Sequence, residues 1–312
     1  MELFIILFTR LAINDLAKPL LTKLASQETG RLLRFILQFF TALVIASIAV
    51  SVIGVWSFGT TFWLILTIGF VQAFGTYCHW RAFDISMSKT SLYTWGDDII
   101  AMLLAVVRLG EGSIINLPMG AGILCSLLAI MLFSRNDAVK QKKEAEKKGK
   151  ASVSLEIKET KPPALWFWIL GYSVLWGGSI FFLKYFALKS VPLTSFLQPW
   201  YTGATLMALL LYATIGRSII GKEWRNLRLR YLVLPIGLGA CILGGLSLAY
   251  EAFEIAPLIV VQPIFLVAEM AFPVLIGLIG FAEHKTYDRF DWICFGLGVM
   301  GVFLIAAGYA LG

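Results

Sequence analysis

Apolar residues along the chain fall into ten runs, each closed by charges or by Gly/Pro punctuation: 3–25, 32–55, 60–80, 90–107, 114–133, 165–187, 193–215, 231–253, 258–281 and 292–311. A helix needs about 20 residues to cross a hydrocarbon core of roughly 30 Å, and each run is close to that length. The pattern predicts an all-α membrane protein with ten transmembrane helices. Between the fifth and sixth runs lies 134–163, with the sequence KQKKEAEKKGK at its centre and Pro162-Pro163 at its end. Such a run reads as a solvated linker, carrying at most a fraying helix, and not as a binding site. It divides the chain into a first five-helix unit (1–133), the linker (134–163) and a second five-helix unit (164–312).

Composition agrees with the pattern. Of 312 residues, 59% are apolar and 14% charged, with a mean hydropathy of +0.81, whereas soluble domains are about a quarter charged. The linker is the longest polar stretch and is too short for a separate soluble domain. Residues 1–8 are apolar but lack a basic start, and Arg10, Asn14, Asp15 and Lys18 interrupt the run. The first segment is therefore expected to be retained and not cleaved as a signal peptide. Cys78, Cys125, Cys241 and Cys294 stand singly in apolar runs, without CxxC spacing, and read as small core residues.

The two units resemble each other. Lys23 aligns with Lys184, and Gln38 in FILQFF aligns with Gln198 in SFLQPW. WRAFDI (80–85) stands 170 residues before YEAFEI (250–255), so that Gly69 and Gly75 fall on Gly239 and Gly245. Asp97 and Glu111 stand 172 residues before Glu269 and Glu283. A duplicated unit with an odd number of spans enters the membrane from opposite sides in its two copies, which makes an inverted repeat. Charge supports the inversion. Counting Lys and Arg by side, one set of connections holds three (Arg108, Lys184, Lys189) and the other 21, or 12 without the linker. Because bases accumulate on the cytoplasmic side, the linker is predicted cytoplasmic and both termini outside. The net charge of +7 then reports orientation in the lipid bilayer and not nucleic-acid binding.

The strings LGEGSIINLPMGAGILCSLLAIMLF (109–133) and FAEHKTYDRFDWICFGLGVMGVFLIAAG (281–308), with APLIVVQPIF (256–265) opening the ninth helix, resemble the EamA-type repeat. Over nearly its whole length the chain is similar to the ten-helix branch of the drug/metabolite transporter superfamily. That resemblance implies a basket in which the first, third and fourth helices of each repeat line a central cavity, while the fifth and tenth pack at the periphery. The sequence departs from the family at Ser88, where the second repeat has Pro257, and in its charges, since family members commonly keep both termini inside. The spacing Gly296, Gly298, Gly301 lets helices approach closely. Intramolecular packing is the preferred reading of that face, with a homodimer contact as the alternative.

Ionisable groups within a span are expensive unless paired or wetted, so each is a candidate for function. Asp97 and Asp98 fall near the centre of 90–107, and Glu269 near the centre of 258–281. Acids at matching positions in repeated helices can hold a proton or a cation, because desolvation favours the neutral form of a carboxyl group. The competing reading pairs them with Lys18 or Arg10 and gives them only a structural role. In the first span Arg10, Asn14 and Lys18 share a face at i, i+4, i+8, with Asp15 beside it. His79 can titrate near neutral pH. Tyr93, Trp95, Trp176, Trp200 and Tyr250 offer ring faces for a flat or cationic substrate. Pro257, Pro263 and Pro273 predict a kinked ninth helix with free carbonyls, and Gln262 between the first two completes the substrate and proton set. Glu111 and Glu283 are read as helix N-terminal charges.

These readings point to a secondary carrier in the plasma (inner) membrane, moving a small cationic, zwitterionic or aromatic metabolite by alternating access with proton coupling. A lipid-linked sugar flippase of the same fold is the alternative. No nucleotide motif, metal-ligand cluster or cofactor signature is present. With only His79 and His284, the chain is poorly equipped to be an enzyme.

Overall fold

The computed structural model describes residues 2–18, 20–22, 24, 31–54, 56, 58–85, 95–149, 162–216, 232–268 and 289–311. Of these, 93% are helical and none is in a strand. Helix α1 (Glu2–Leu11) runs into a π-helical turn (Ala12–Ala17), followed by α2 (Arg31–Ile53) and α3 (Thr60–Ile85). Helix α4 (Gly96–Leu104) passes through a π-helical turn (Ala105–Leu109) and a 3₁₀ turn (Glu111–Ile114) into α5 (Leu117–Gly149). Then come α6 (Pro162–Leu188), α7 (Leu193–Leu211), α8 (Val233–Ile255), α9 (Leu258–Ala268) and α10 (Arg289–Leu311). Proline opens or immediately precedes α6, α7 and α9, where its missing N–H is not needed and its fixed φ suits a helix start.

Among the described residues, five helices are long and apolar enough to cross a membrane: Leu32–Ile53, Thr60–Ala82, Leu165–Leu188, Val233–Ile255 and Arg289–Leu311. Large apolar side chains face outward along them and along α1, among them Phe8, Val52, Phe167, Ile293 and Phe303, each more than half exposed. Only lipid accommodates such a surface at this density, and the protein is a helical membrane protein. The linker begins as helix. Helix α5 continues past residue 133 to Gly149, because a stretch rich in Lys, Glu, Ala and Gln has high helix propensity of its own. None of the four cysteines forms a disulfide.

The chain forms two compact units, Met1–Phe74 with Ser179–Pro257 and Gly75–Gly178 with Leu258–Gly312. In the first, α2 packs on α7 and α8, and α1 on α8. Its core is aromatic: Phe196 lies 5.9 Å from Phe186 and 4.7 Å from Tyr250 between ring centroids. The hydroxyl of Tyr201 donates to the carbonyl of Ile242 at 3.1 Å. Helices cross here at glycines. A Cβ on Gly69 of α3 would strike the backbone of Trp200 on α7, and one on Gly239 of α8 would lie 2.6 Å from the Gln38 carbonyl of α2. Gly245 of α8 rests on Asn14 of the first helix.

In the second unit α10 lies along α5. Gly122 faces the carbonyl of Gly301 at 2.6 Å from an added Cβ, and Gly301 faces that of Gly122 at 2.8 Å. Met119, Ile259, Val260 and Ile305 fill the space beside them. Asn116 caps α5, its Oδ1 accepting from the Met119 N–H at 3.0 Å while its Nδ2 donates to Gly308 O at 2.7 Å. Gly301 thus belongs to intramolecular packing, as its spacing predicted, whereas Gly296 faces open space. Gly75 of α3 rests on Leu175 of α6.

Candidate functional site

The second unit holds a cluster of ionisable and aromatic groups. Helix α4 begins at Gly96, with Trp95 at its N-cap position, so Asp97 and Asp98 occupy its first turn. Both are buried, at 3% and 6% exposure. A first turn is where backbone N–H groups favour negative charge. This end of α4 is pressed against α6: a Cβ on Gly177 would strike the Asp97 carbonyl, and one on Gly96 would lie 2.9 Å from Ser173 Oγ. Two small residues therefore let the backbones approach closely enough to bring Tyr172 to the acids.

The Tyr172 hydroxyl donates to Asp97 Oδ2 at 2.9 Å. His79 of α3 stacks on the Tyr172 ring with centroids 4.5 Å apart, and Trp176 stacks on the same tyrosine at 6.4 Å, with ring planes 25° apart. On the neighbouring acid, Gln262 Nε2 of α9 donates to Asp98 Oδ1. The acids, His79, Trp176 and Gln262, all selected from sequence, therefore converge. Tyr172 was missed. It stands four residues from both Trp168 and Trp176, so an aromatic stripe at i, i+4, i+8 along α6 was the available signal. Along that stripe Trp168 meets Tyr77 edge-on at 6.0 Å, and the Arg81 guanidinium lies 5.9 Å from its ring centre.

Other predicted residues lie elsewhere. Trp95 packs against Ile130, Leu266 and Val267. In the first unit, Lys18 Nζ donates to Asn14 Oδ1 at 3.1 Å, and Asn14 sits in the π-helical turn, a distortion that often marks functional positions. Asp15 shares that turn, but its side chain lies outside the described residues, as do Tyr93, Glu269 and Glu283. Tyr250 is fully buried, its ring tilted against that of Phe196, with its hydroxyl donating to Val191 O at 2.6 Å. Its place is in the packed core and not on a cavity wall. Trp200 is likewise buried, 5.1 Å from Phe196.

Glu111 corrects one detail of the sequence reading. It does act at a helix N-terminus, but at that of α9 and not of α5. Its two carboxylate oxygens accept from the N–H groups of Leu258 at 3.1 Å and Ile259 at 3.0 Å, immediately after Pro257. The substitution Glu111→Ala leaves both donors buried and uncapped and is expected to cost about 2 kcal/mol. Glu111→Gln, whose amide oxygen still accepts one bond, should recover part of the loss. Thermal unfolding in detergent checks this, and equal melting of Glu111→Ala and the parent would refute it.

The chain matches no family model and no curated protein sequence. Its fold is shared with 24 solved chains. One of them, a crystal structure, aligns over 98% of this chain and 98% of its own length with a TM-score of 0.67 at 15% sequence identity. At that identity the likeness is one of fold.

Proposed function

We propose that this protein is a proton-coupled secondary carrier of the EamA-type drug/metabolite transporter kind. It would move a small cationic, zwitterionic or aromatic metabolite across the plasma membrane by alternating access, with ten spans in two inverted repeats, the 134–163 linker cytoplasmic and the termini outside. The carrying observation is the buried acid pair Asp97–Asp98, set among Tyr172, His79, Trp176 and Gln262 in a protein whose exterior is apolar. A helical scaffold in lipid has little reason to keep two adjacent carboxyls out of water unless they bind something. Ring faces beside carboxyls suit an organic cation.

The duplication draws support from packing. Gly75 rests on Leu175 and Gly245 on Asn14. The glycines are 170 residues apart, and Asn14 and Leu175 are 161 apart, the same offset as Lys23 and Lys184. Gly69 meets α7 and Gly239 meets α2, again with the roles of the repeats exchanged. The orientation rests on charge, with two amendments. Lys184 and Arg34, counted as loop bases, are buried; they fall on opposite sides of the tally and leave the bias intact.

The test uses proteoliposomes with an imposed pH gradient and a panel of radiolabelled amino acids and aromatic amines. At least one compound should accumulate above protein-free vesicles, and replacing both acids (Asp97→Asn with Asp98→Asn) should abolish the acceleration by the gradient while leaving the protein folded. Accumulation of none of them, or an undiminished gradient response in that double variant, would overturn the proposal.

A further inference from the structure

We infer that Asp98, and not Asp97, carries the proton of the acid pair, held as a neutral carboxyl group in a cyclic hydrogen-bonded pair with the amide of Gln262. Gln262 is buried, with 5% of its surface exposed. Its Nε2 donates to Asp98 Oδ1, while its Oε1 is buried and accepts no hydrogen bond among the described residues. A buried acceptor left in that condition costs about 1–3 kcal/mol. A protonated Asp98 removes the cost, because Oδ2–H donates to Oε1 while Nε2–H continues to donate to Oδ1. The two planar groups then close a ring with two hydrogen bonds. Turning the amide over leads to the same state: Oε1 then faces a carboxyl oxygen, and only a proton between them makes a bond. An ionised Asp98 satisfies one end of Gln262 in either orientation; a neutral one satisfies both.

Asp97 meets a donor and not an amide. Its Oδ2 accepts from the Tyr172 hydroxyl, its Oδ1 is buried as Gln262 Oε1 is, and the first turn of α4 in which it stands favours the ionised form. Two adjacent buried acids do not both ionise readily, since like charges in a low-dielectric site repel. The different partners decide which one gives way. The titratable groups seen against the pair among the described residues include Tyr172 on α6 and, stacked behind it, His79 on α3. Gln262 is a positioning residue on this assignment, and it fixes which carboxyl exchanges the proton.

Infrared spectra of the purified full-length protein in detergent, recorded through a pH titration without added substrate, test the assignment. A protonated-carboxyl C=O band should persist at neutral pH, disappear in Asp98→Asn and remain in Asp97→Asn. In Gln262→Leu it should move to higher frequency, because that C=O no longer accepts a hydrogen bond. Asp98→Asn rebuilds the ring as an amide–amide pair without any proton, so it should melt no lower than the parent, and its spectrum decides the matter even if Gln262→Leu does not fold. A band that is absent at neutral pH, that survives Asp98→Asn, or that disappears in Asp97→Asn instead would overturn the assignment. The inference builds on the reading of this cluster as a carrier's proton site, but the two fail separately: the spectrum reports protonation whether or not the vesicles accumulate any compound.

Discussion

Gly203→Ala is expected to cost at least about 3 kcal/mol and to lower the melting temperature by about 10 °C. Helices α3 and α7 cross where Gly203 lies against the backbone of Leu66 and Phe70. A Cβ there would overlap the Leu66 carbonyl oxygen and stand 2.7 Å from the Phe70 nitrogen. The crossing is closed from the other side by Gly69, whose Cβ would lie 2.8 Å from the carbonyl carbon of Trp200. Side chains can rotate away from an intruding methyl group, but the backbone of a helix cannot. The two helices would have to separate along their whole contact, losing many dispersion contacts at once. Gly178→Ala and Gly296→Ala serve as controls, since a Cβ at either meets nothing within 4 Å. Each should be neutral or stabilising by up to about 1 kcal/mol through helix propensity. Detergent melts read by size-exclusion fluorescence decide it, and a Gly203→Ala protein melting like Gly178→Ala would show that α3 and α7 do not meet in this way.

Those same glycines show what a sequence can and cannot convey in lipid. Gly69 and Gly239 were visible as a repeated pair, but the helix each one faces was not, because spacing gives position along a helix and only packing gives direction across it. The helical runs themselves were legible for a physical reason: apolar stretches long enough to cross a bilayer have few other solutions. Asp97 and Asp98 were legible as exceptions to that rule. Their placement in the first turn of α4 was not, since the apolar run around them continues on both sides. Tyr172 escaped because one more aromatic residue in an apolar helix is unremarkable until something polar stands opposite its hydroxyl. Glu111 was correctly read as a helix-end charge but attached to the wrong helix, its partner lying 147 residues away. Lys184 was the clearest misreading. Four residues before the end of α6, it had the sequence context of a loop base, and its contacts with the end of α8 explain its burial.

Lys184→Met is the second substitution expected to have a large effect, at about 3 kcal/mol. The ammonium group is buried at 3% exposure and donates to the carbonyls of Phe253 at 2.6 Å and Ala256 at 2.9 Å. These lie in and just beyond the last turn of α8, where carbonyls have no partner within the helix and the negative end of the dipole favours a cation. Methionine nearly matches the length of lysine, so the packing is retained and the change isolates the charge. Two opposing effects decide the outcome. Removing a buried charge relieves its desolvation, which makes apolar replacements of some buried ions harmless. Here the replacement also takes the ammonium's hydrogen bonds from two buried carbonyls, each bond worth about 1–3 kcal/mol, and the ammonium's own desolvation is already offset by the helix terminus. The loss of the donors therefore wins. The damage should be local as well as global: α8 ends at Ile255, and its last turn should exchange amide hydrogens faster while α2 does not. Lys184→Gln, which keeps one donor group, should fall between the parent and Lys184→Met in melting temperature. Unchanged melting and unchanged exchange over residues 250–256 in Lys184→Met would mean that the end of α8 is held by something other than this lysine.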